Sequence, residues 1–390
     1  MDETHAAVTT ITHLARPVIT GVRATVVSVP LPRPVSWSNV SVSSREYVLV
    51  WIDTDDGQTG FGFTVGSRFG NGGAYIASAV TELLAPSLVG REAFEIERLW
   101  EDMAFQTLLL GRRGAVMRAM SAVDIALWDL LAISAGRPLC DLLGRYRSRV
   151  PAYASGGYYY SDDPETDLAE LEEEVRRHVE LGFRAVKIKT GRLSASRDRQ
   201  RILRVLEAVG PDVKVAVDAN HAWRDYPSAI NDLRHLDELG LWWIEEPVLP
   251  DHLDASARLA ETLITPVATG EIEAGRWAFQ QMVDMGAADI LQADATVVGG
   301  ISEWLKIAHM AACRSIPLAP HWVADIHVHL GAATPNVMAL EYFHSGVGVL
   351  NFEQLLAETL RFENGEVVVP DRPGHGIVLD TDAVNFYKVV

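Results

Sequence analysis

Residues 213–220 read Val213-Lys214-Val215-Ala216-Val217-Asp218-Ala219-Asn220, an apolar run that ends on a carboxylate. A run this short, rich in valine and closed by polar residues, reads as a strand buried on both faces. The same device recurs outward along the chain. Val186-Lys187-Ile188-Lys189 precedes it. Ile244-Glu245-Glu246-Pro247, Thr269-Gly270-Glu271, Gln292-Ala293-Asp294, Pro317-Leu318-Ala319-Pro320-His321 and Leu340-Glu341-Tyr342 follow it. Eight strands are predicted, at 152–155, 185–189, 213–219, 242–247, 267–271, 289–295, 316–321 and 337–343. Their starts are 21–33 residues apart, room for one strand, one helix and two loops. Eight such units close a parallel barrel. The competing doubly wound sheet lacks its mark, because no Gly-x-Gly-x-x-Gly opens the first unit.

Upstream the pattern differs. Ile19 to Pro30 alternates like a strand, Ser36 to Arg45 reads as a polar loop, and Tyr47–Asp53 and Gly60–Thr64 flank the hairpin signal Asp55-Asp56-Gly57. A second loop, Val65 to Gly73, carries Arg68. Helices are predicted over 74–86, 92–109 and 113–135. The last has one apolar face of Val116, Met120, Val123, Ala126, Leu127 and Leu130, and Gly136-Arg137-Pro138 stops it. The expected organisation is a loose extension at 1–18, an α+β module at 19–149, the barrel at 150–361, and a segment at 362–390 that returns to the first module.

With 390 residues and 48% hydrophobic composition the chain can fill such a core. A formal charge of −18 disfavours nucleic acid and anionic membrane as partners. It does not disfavour a small acid, since a bound divalent cation reverses the local field. Cys140 and Cys313 form no CxxC pair and lie in apolar stretches, so both are expected to be buried, inert thiols in a reducing cytoplasm. Met1 to Arg16 does not read as a signal peptide, and no apolar run reaches the roughly 18–20 residues that span a bilayer.

The strand ends carry the chemistry, and the C-terminal mouth is where barrel enzymes hold their sites. Asp218, Glu245 and Glu271 would converge there, and three anions so close call for a cation. All-oxygen ligands favour a hard ion, Mg²⁺ first and Mn²⁺ second. The competing reading is three unrelated surface carboxylates. Glu246 and Asn220 are second choices. Lys187 and Lys189 share one strand face, and two adjacent ammonium groups would depress each other's pKa and make one a usable base. Asp294 beside His321 would fix the imidazole tautomer. His327 and His329 read as packing, with substrate contact as the alternative. Glu341 could be held protonated and donate a hydrogen bond.

Together Lys187-x-Lys189, Asp218-x-Asn220, Glu245-Glu246-Pro247, Glu271, Asp294 and His321 resemble the mandelate racemase branch of the enolase superfamily. Ala122-Val123-Asp124-Ile125-Ala126-Leu127-Trp128-Asp129, followed by Gly136-Arg137-Pro138-Leu139, is similar to that family's segment before the barrel. The resemblance implies an α/β fold, a modified TIM barrel (β/α)7β with an N-terminal α+β capping domain. It implies Mg²⁺ on Asp218, Glu245 and Glu271, Lys189 as base with Lys187 beside it, the Asp294–His321 pair on the other face, and Glu341 on the enolate oxygen. A Lys or His base with Mg²⁺ is the known arrangement of that superfamily. It also implies a homo-oligomer.

The expected reaction is removal of the proton next to a carboxylate. Ser36–Arg45 and Val65–Gly73, read as polar capping loops, favour a polyhydroxylated acid over an aryl one. Dehydration of a sugar acid is therefore expected, with a racemase, epimerase or cycloisomerase as the alternative on the same residues. A non-catalytic binding barrel is the reading from another class. Trp37, Arg45, Arg68, Asn220 and His327 are the candidate substrate contacts.

Overall fold

The computed structural model describes residues 16–38, 40–66, 70–345 and 351–389. Strands β1 (Ile19–Trp37), β2 (Val40–Thr54) and β3 (Thr59–Val65) form an antiparallel sheet. Ser36–Arg45, expected as a loop, is instead mostly strand. It is the far end of the β1–β2 ribbon, paired Pro30↔Ser44, Val35↔Val42 and Trp37↔Val40 across a register shift. Leu31, Val35, Trp37 and Val42 bury against Tyr158 there, which explains how so polar a stretch holds extended structure. Arg68 lies outside the described residues.

Helix α1 (Gly72–Ser78) runs through a π turn into α2 (Ala85–Leu88), and α3 (Ile96–Gln106) and α4 (Ala115–Ser134) follow. The sequence suggests one apolar face for α4, but the helix is buried almost all round. One side meets β3, where a Cβ on Gly62 would lie 2.1 Å from the carbonyl oxygen of Ala122, so only glycine allows the approach. The other side grips the barrel. Asp124 accepts from the Ser302 N–H (2.9 Å) and hydroxyl (2.6 Å), and Trp128 Nε1 donates to the same hydroxyl. The segment that resembles a family signature is thus the clamp between the two modules.

After α5 (Leu139–Leu142) the chain alternates strand and helix: β4 (Arg149–Ser155), α6 (Pro164–Glu180), β5 (Ala185–Lys189), α7 (Ala195–Val209), β6 (Lys214–Asp218), α8 (Tyr226–Asp237), β7 (Ile244–Glu245), α9 (Leu253–Thr262), β8 (Val267–Thr269), α10 (Arg276–Asp284), β9 (Ile290–Leu291), α11 (Ile301–Cys313), α12 (Ala324–Ala333) and β10 (Leu340–Tyr342). The ladders from β4 to β9 are all parallel, and β10 returns to β4 at Leu340↔Ala152. The seventh position, expected as a strand, is a single residue. Leu318 bridges Leu291 on one side and Val337 on the other.

Inside the ring, Tyr153, Ala185, Ala216, Trp243, Ala268, Ile290, Ala319 and Ala339 form one buried layer. Inward side chains recur every second residue on a strand. The next positions towards the mouth are therefore Lys187, Asp218, Glu245, Gln292, His321 and Glu341. This apolar floor sets the charged layer above it.

The tail forms a hairpin, β11 (Phe362–Glu363) and β12 (Glu366–Val368), laid antiparallel on β4. Helix α13 (Thr381–Tyr387) then reaches β1, where Lys388 bridges Val27. Cys140 is buried and its thiol is pushed up to about 11 by burial. Cys313, expected to be buried, is exposed, because it ends α11 away from the inward face of Trp304, Ile307, Ala308 and Ala311. Among the described residues no helix is long and apolar enough to cross a membrane.

His329 on α12 is fully buried; its Nε2 donates to His375 O (2.8 Å) and its Nδ1 accepts from Cys140 N (3.4 Å). Burial lowers its pKa from 6.5 to about 3. The unfolded chain takes up this proton below pH 6.5 and the folded chain does not, so stability is lost as pH falls from 6.5 towards 3. Urea unfolding at stepped pH should show the gap between parent and His329→Gln narrowing by about 1.4 kcal/mol per pH unit in that window. A constant gap would refute the assignment.

Candidate active site

Three buried carboxylates, Asp218, Glu245 and Glu271, each place an oxygen within 4.8 Å of the others. Asp218 and Glu245 follow from the every-second-residue rule. Glu271 does not, since it stands one residue past the inward position of β8. Gly270 turns it in with φ of 116°, a conformation closed to other residues, and a Cβ there would meet the Phe279 ring at 2.8 Å.

Trp243 Nε1 (3.0 Å) and Gln292 Nε2 (2.6 Å) both donate to Glu245 Oε2, fixing its orientation. Burial raises the Glu245 pKa to about 8, opposed by Lys187 and reinforced by Asp218, Glu341 and Glu271. The pocket thus concentrates negative charge in a dry place, and its all-oxygen donor set suits a hard divalent ion. Glu246 turns elsewhere. It pairs with His221 and accepts from the Thr269 hydroxyl (2.6 Å) and Gly270 N (2.7 Å), bracing the β8 turn.

Lys189 Nζ lies 2.5 Å from Asp218 Oδ2. Lys187 bonds Glu245 and lies 2.8 Å from Glu341 Oε1. The expected depression is present, Lys187 lowering Lys189, but it is outweighed. Burial lowers both, but Glu245 and Glu341 around Lys187, and Asp218 beside Lys189, outweigh it and hold both above the usual lysine value. Asp218 is held low, burial being overcome by Lys189 and Lys187. Glu341 also departs from expectation. Although burial raises it, Lys187 and His321 bring it down to about 2, so it is ionised and accepts from Trp322 N (2.6 Å).

On the opposite wall His321 Nδ1 bonds Asp294 Oδ2 (2.9 Å), and its Nε2 lies 3.5 Å from Glu271 Oε2. Asp294 is itself held by Thr296 N and Oγ1, both at 2.8 Å. Burial would lower His321, but Glu271 and Asp294 raise it to about 9. His327 stands behind Asp294, accepting from Ala295 N (3.0 Å), and burial lowers it to about 4. It does not line the cavity, contrary to its candidacy as a substrate contact.

A cavity of about 90 Å³ joins these groups; among its walls are Trp37, Arg45, Tyr158, Asn220, Trp322 and Phe343. Trp37 and Arg45 come from the β1–β2 ribbon, so the capping module does supply the roof. Beside the aromatic Trp37, the described cavity walls include Arg45 from the first stretch expected as a polar loop and Gly66 from the second. Tyr158, Gln292 and Trp322 escape the sequence reading. Gln292 is legible as the inward residue two before Asp294; the other two sit on turns with no periodicity. Asn220, His221, Glu246 and Trp322 all have positive φ (42°, 64°, 45° and 61°), costing about 1–3 kcal/mol each. Such strain clusters where side chains are aimed for function. A larger cleft of about 750 Å³, near Trp100, Phe105 and Trp277, contains none of the barrel-mouth carboxylates.

This fold and site have known counterparts. The mandelate racemase/muconate lactonizing enzyme N-terminal domain matches residues 20–144, and the enolase C-terminal domain-like family matches residues 170–383. The chain belongs to the mandelate racemase branch of the enolase superfamily. It is 37% identical over 350 residues to an arabinonate dehydratase of Saccharolobus solfataricus, covering 88% of this chain and 91% of that one. It is 35% identical over 360 residues to a 3,6-anhydro-alpha-L-galactonate cycloisomerase of Streptomyces coelicolor, covering 92% and 96%. The crystal structure of an L-talarate dehydratase from Polaromonas sp. JS666, complexed with Mg and L-glucarate, superposes with a TM-score of 0.83 at 32% identity, covering 96% and 98%.

Proposed function

We propose that this protein is a Mg²⁺-dependent sugar-acid dehydratase of the cytoplasm. The observation that carries the reading is Lys189 and His321 on opposite walls of one cavity, with Asp218, Glu245 and Glu271 gathered beside them. The arabinonate and talarate dehydratases to which it is similar support the choice of reaction and metal. Asp218, Glu245 and Glu271 would hold the ion, which when bound supplies a Lewis acid for the substrate carboxylate.

With the charge of Asp218 committed to the ion, Lys189 would lose the partner that raises it; its neutral amine then takes the proton from the carbon next to that carboxylate, and the electron pair of the broken C–H bond moves into an enediolate. Lys187, kept charged by Glu245 and Glu341, stabilises the new negative charge more than it does the ground state. Ionised Glu341 serves by anchoring Lys187 and the Trp322 backbone rather than by donating a proton. His321, protonated and oriented by Asp294, delivers its proton to the β-hydroxyl as the C–O bond breaks. Water leaves, and the enol becomes a 2-keto-3-deoxy acid.

The second reading is cycloisomerisation, supported by the Streptomyces coelicolor relative and by the same acid–base pair. A panel of sugar acids incubated with Mg²⁺ and assayed for keto-acid formation separates the two, with proton NMR in D₂O reading the α-hydrogen. Dehydration should produce a keto acid, stop with EDTA and resume with Mg²⁺. Solvent exchange without loss of water would favour an isomerase. Neither product nor exchange from any acid would overturn both.

A further inference from the structure

On its β6 side Lys189 is anchored by the strand ladder, which pairs it with Asp218. On the β4 side the ladder has already ended, at Ser155↔Lys187. What meets Lys189 there is the loop that leaves β4. Its Gly157 carbonyl accepts the Lys189 N–H at 3.2 Å, and its Gly156 N–H donates to Lys187 O at 3.0 Å. Gly157 has φ of 61°, and a Cβ there would lie 2.5 Å from that of Ile188, so the loop presses on the residue between the two lysines. The next residue, Tyr158, sets its ring centroid 5.1 Å from Lys189 Nζ. This loop thus grips the base by its backbone and walls it with a ring.

The loop is itself held by charged groups on two helices. Glu174 of α6 accepts from Gly157 N at 2.7 Å. Arg201 of α7 is 2% exposed; its Nη2 donates to Gly157 O at 2.8 Å and to Tyr158 O at 3.3 Å, while its Nη1 bonds Asp167 of α6. Arg201 and Asp167 stand outside the barrel-mouth cavity. A buried ion pair that only joined α6 to α7 could be replaced by apolar side chains at little loss. Such side chains could not supply the donors that the two carbonyls take. The Gly157 carbonyl is shared between Arg201 and the base, and the rigid guanidinium fork fixes where that carbonyl stands.

We propose that Arg201, with Asp167 as its counter-charge, is a positioning residue for proton abstraction. Through the shared Gly157 carbonyl it sets where the Lys189 amine meets the substrate α-carbon. The inference rests on Lys189 being the base, a step common to dehydration and cycloisomerisation.

The test replaces the pair as a unit. Arg201→Met/Asp167→Leu leaves no orphan charge. With Mg²⁺ and a sugar acid that the parent dehydrates, kcat should fall by about 100-fold, the cost of a base misplaced by about 1 Å. KM and the calorimetric Mg²⁺ affinity should stay within about threefold of the parent, which a general collapse of the site would not allow. α-Hydrogen exchange in D₂O should fall in the same proportion as dehydration. Arg201→Lys keeps a charge beside Asp167 without the planar fork, so it secures the fold and should lose only about tenfold in kcat. Val205→Ala, fully buried one turn further along α7, lowers stability without touching the loop and should keep the parent's kcat. A parental kcat in Arg201→Lys or in the folded double variant, exchange spared while dehydration falls, or an equal loss in Val205→Ala would overturn the proposal. Amide hydrogen exchange keeps the question separate from catalysis. Peptides covering 156–160 and 187–191 should lose protection by about tenfold or more in Arg201→Lys and in the double variant. If the parent turns over no acid yet protection falls there, the dehydratase reading fails and the hold of Arg201 on Lys189 stands. Unchanged protection sinks that hold whatever the reaction.

Discussion

Lys189→Ala is expected to lower kcat for sugar-acid dehydration by about 10³- to 10⁴-fold, the usual contribution of a well-placed general base. The residue is 6% exposed, and its ammonium contacts Asp218, one of the three gathered carboxylates. Loss of activity alone would therefore be ambiguous, since an ion pair is removed together with a base. Lys189→Arg resolves this. Arginine keeps the positive charge beside Asp218 but cannot be deprotonated in a protein, so it preserves the electrostatics and forbids the proton transfer. Both variants should be inactive, fold with the parent's circular dichroism, and fail to exchange the substrate α-hydrogen in D₂O. Mg²⁺ affinity separates them further. Alanine removes a competing cation and should leave affinity equal or tighter, while arginine should weaken it. A Lys189→Arg enzyme retaining about a tenth of the parent rate would show that charge, not basicity, is what this position contributes.

The barrel and most of its site are legible because inward side chains on a strand recur every second residue and the apolar run stops abruptly. Asp218, Glu245, His321 and Glu341 each stand two residues beyond a floor residue, at Ala216, Trp243, Ala319 and Ala339. Glu271 is off that rhythm and is found from its residue type alone, its placement depending on the Gly270 turn. What the sequence hides are matters of tertiary partnership. Ser36–Arg45 looks like a loop because a two-stranded ribbon leaving its sheet need not alternate polar and apolar residues, and its burial depends on Tyr158, more than a hundred residues away. The ionisation of Lys187 and Glu341 is hidden for the same reason. Two lysines seen alone repel each other, but here each is matched by a carboxylate from another strand. Trp322 goes unmarked because a strained φ cannot be read from residue type, and a tryptophan beside a histidine carries no pattern.

His321→Asn should separate the two halves of the reaction. Asparagine can keep a donor towards Asp294 but cannot deliver a proton, so dehydration should fall by about 10²- to 10⁴-fold. Lys189, Asp218 and Glu245 are untouched and only the 3.5 Å contact with Glu271 Oε2 is lost, so α-hydrogen exchange with D₂O should continue within about tenfold of the parent rate. The enediolate then forms and returns, because the β-hydroxyl cannot leave unprotonated. Asp294→Asn reaches the same step indirectly. It removes the charge that helps hold His321 at about 9, and should slow dehydration while sparing exchange. The contrast with Lys189→Ala, in which both signals vanish, assigns base and acid to different walls of the cavity. Exchange that disappears together with dehydration in His321→Asn would place proton abstraction on the histidine side. The roles given to Lys189 and His321 would then have to be exchanged.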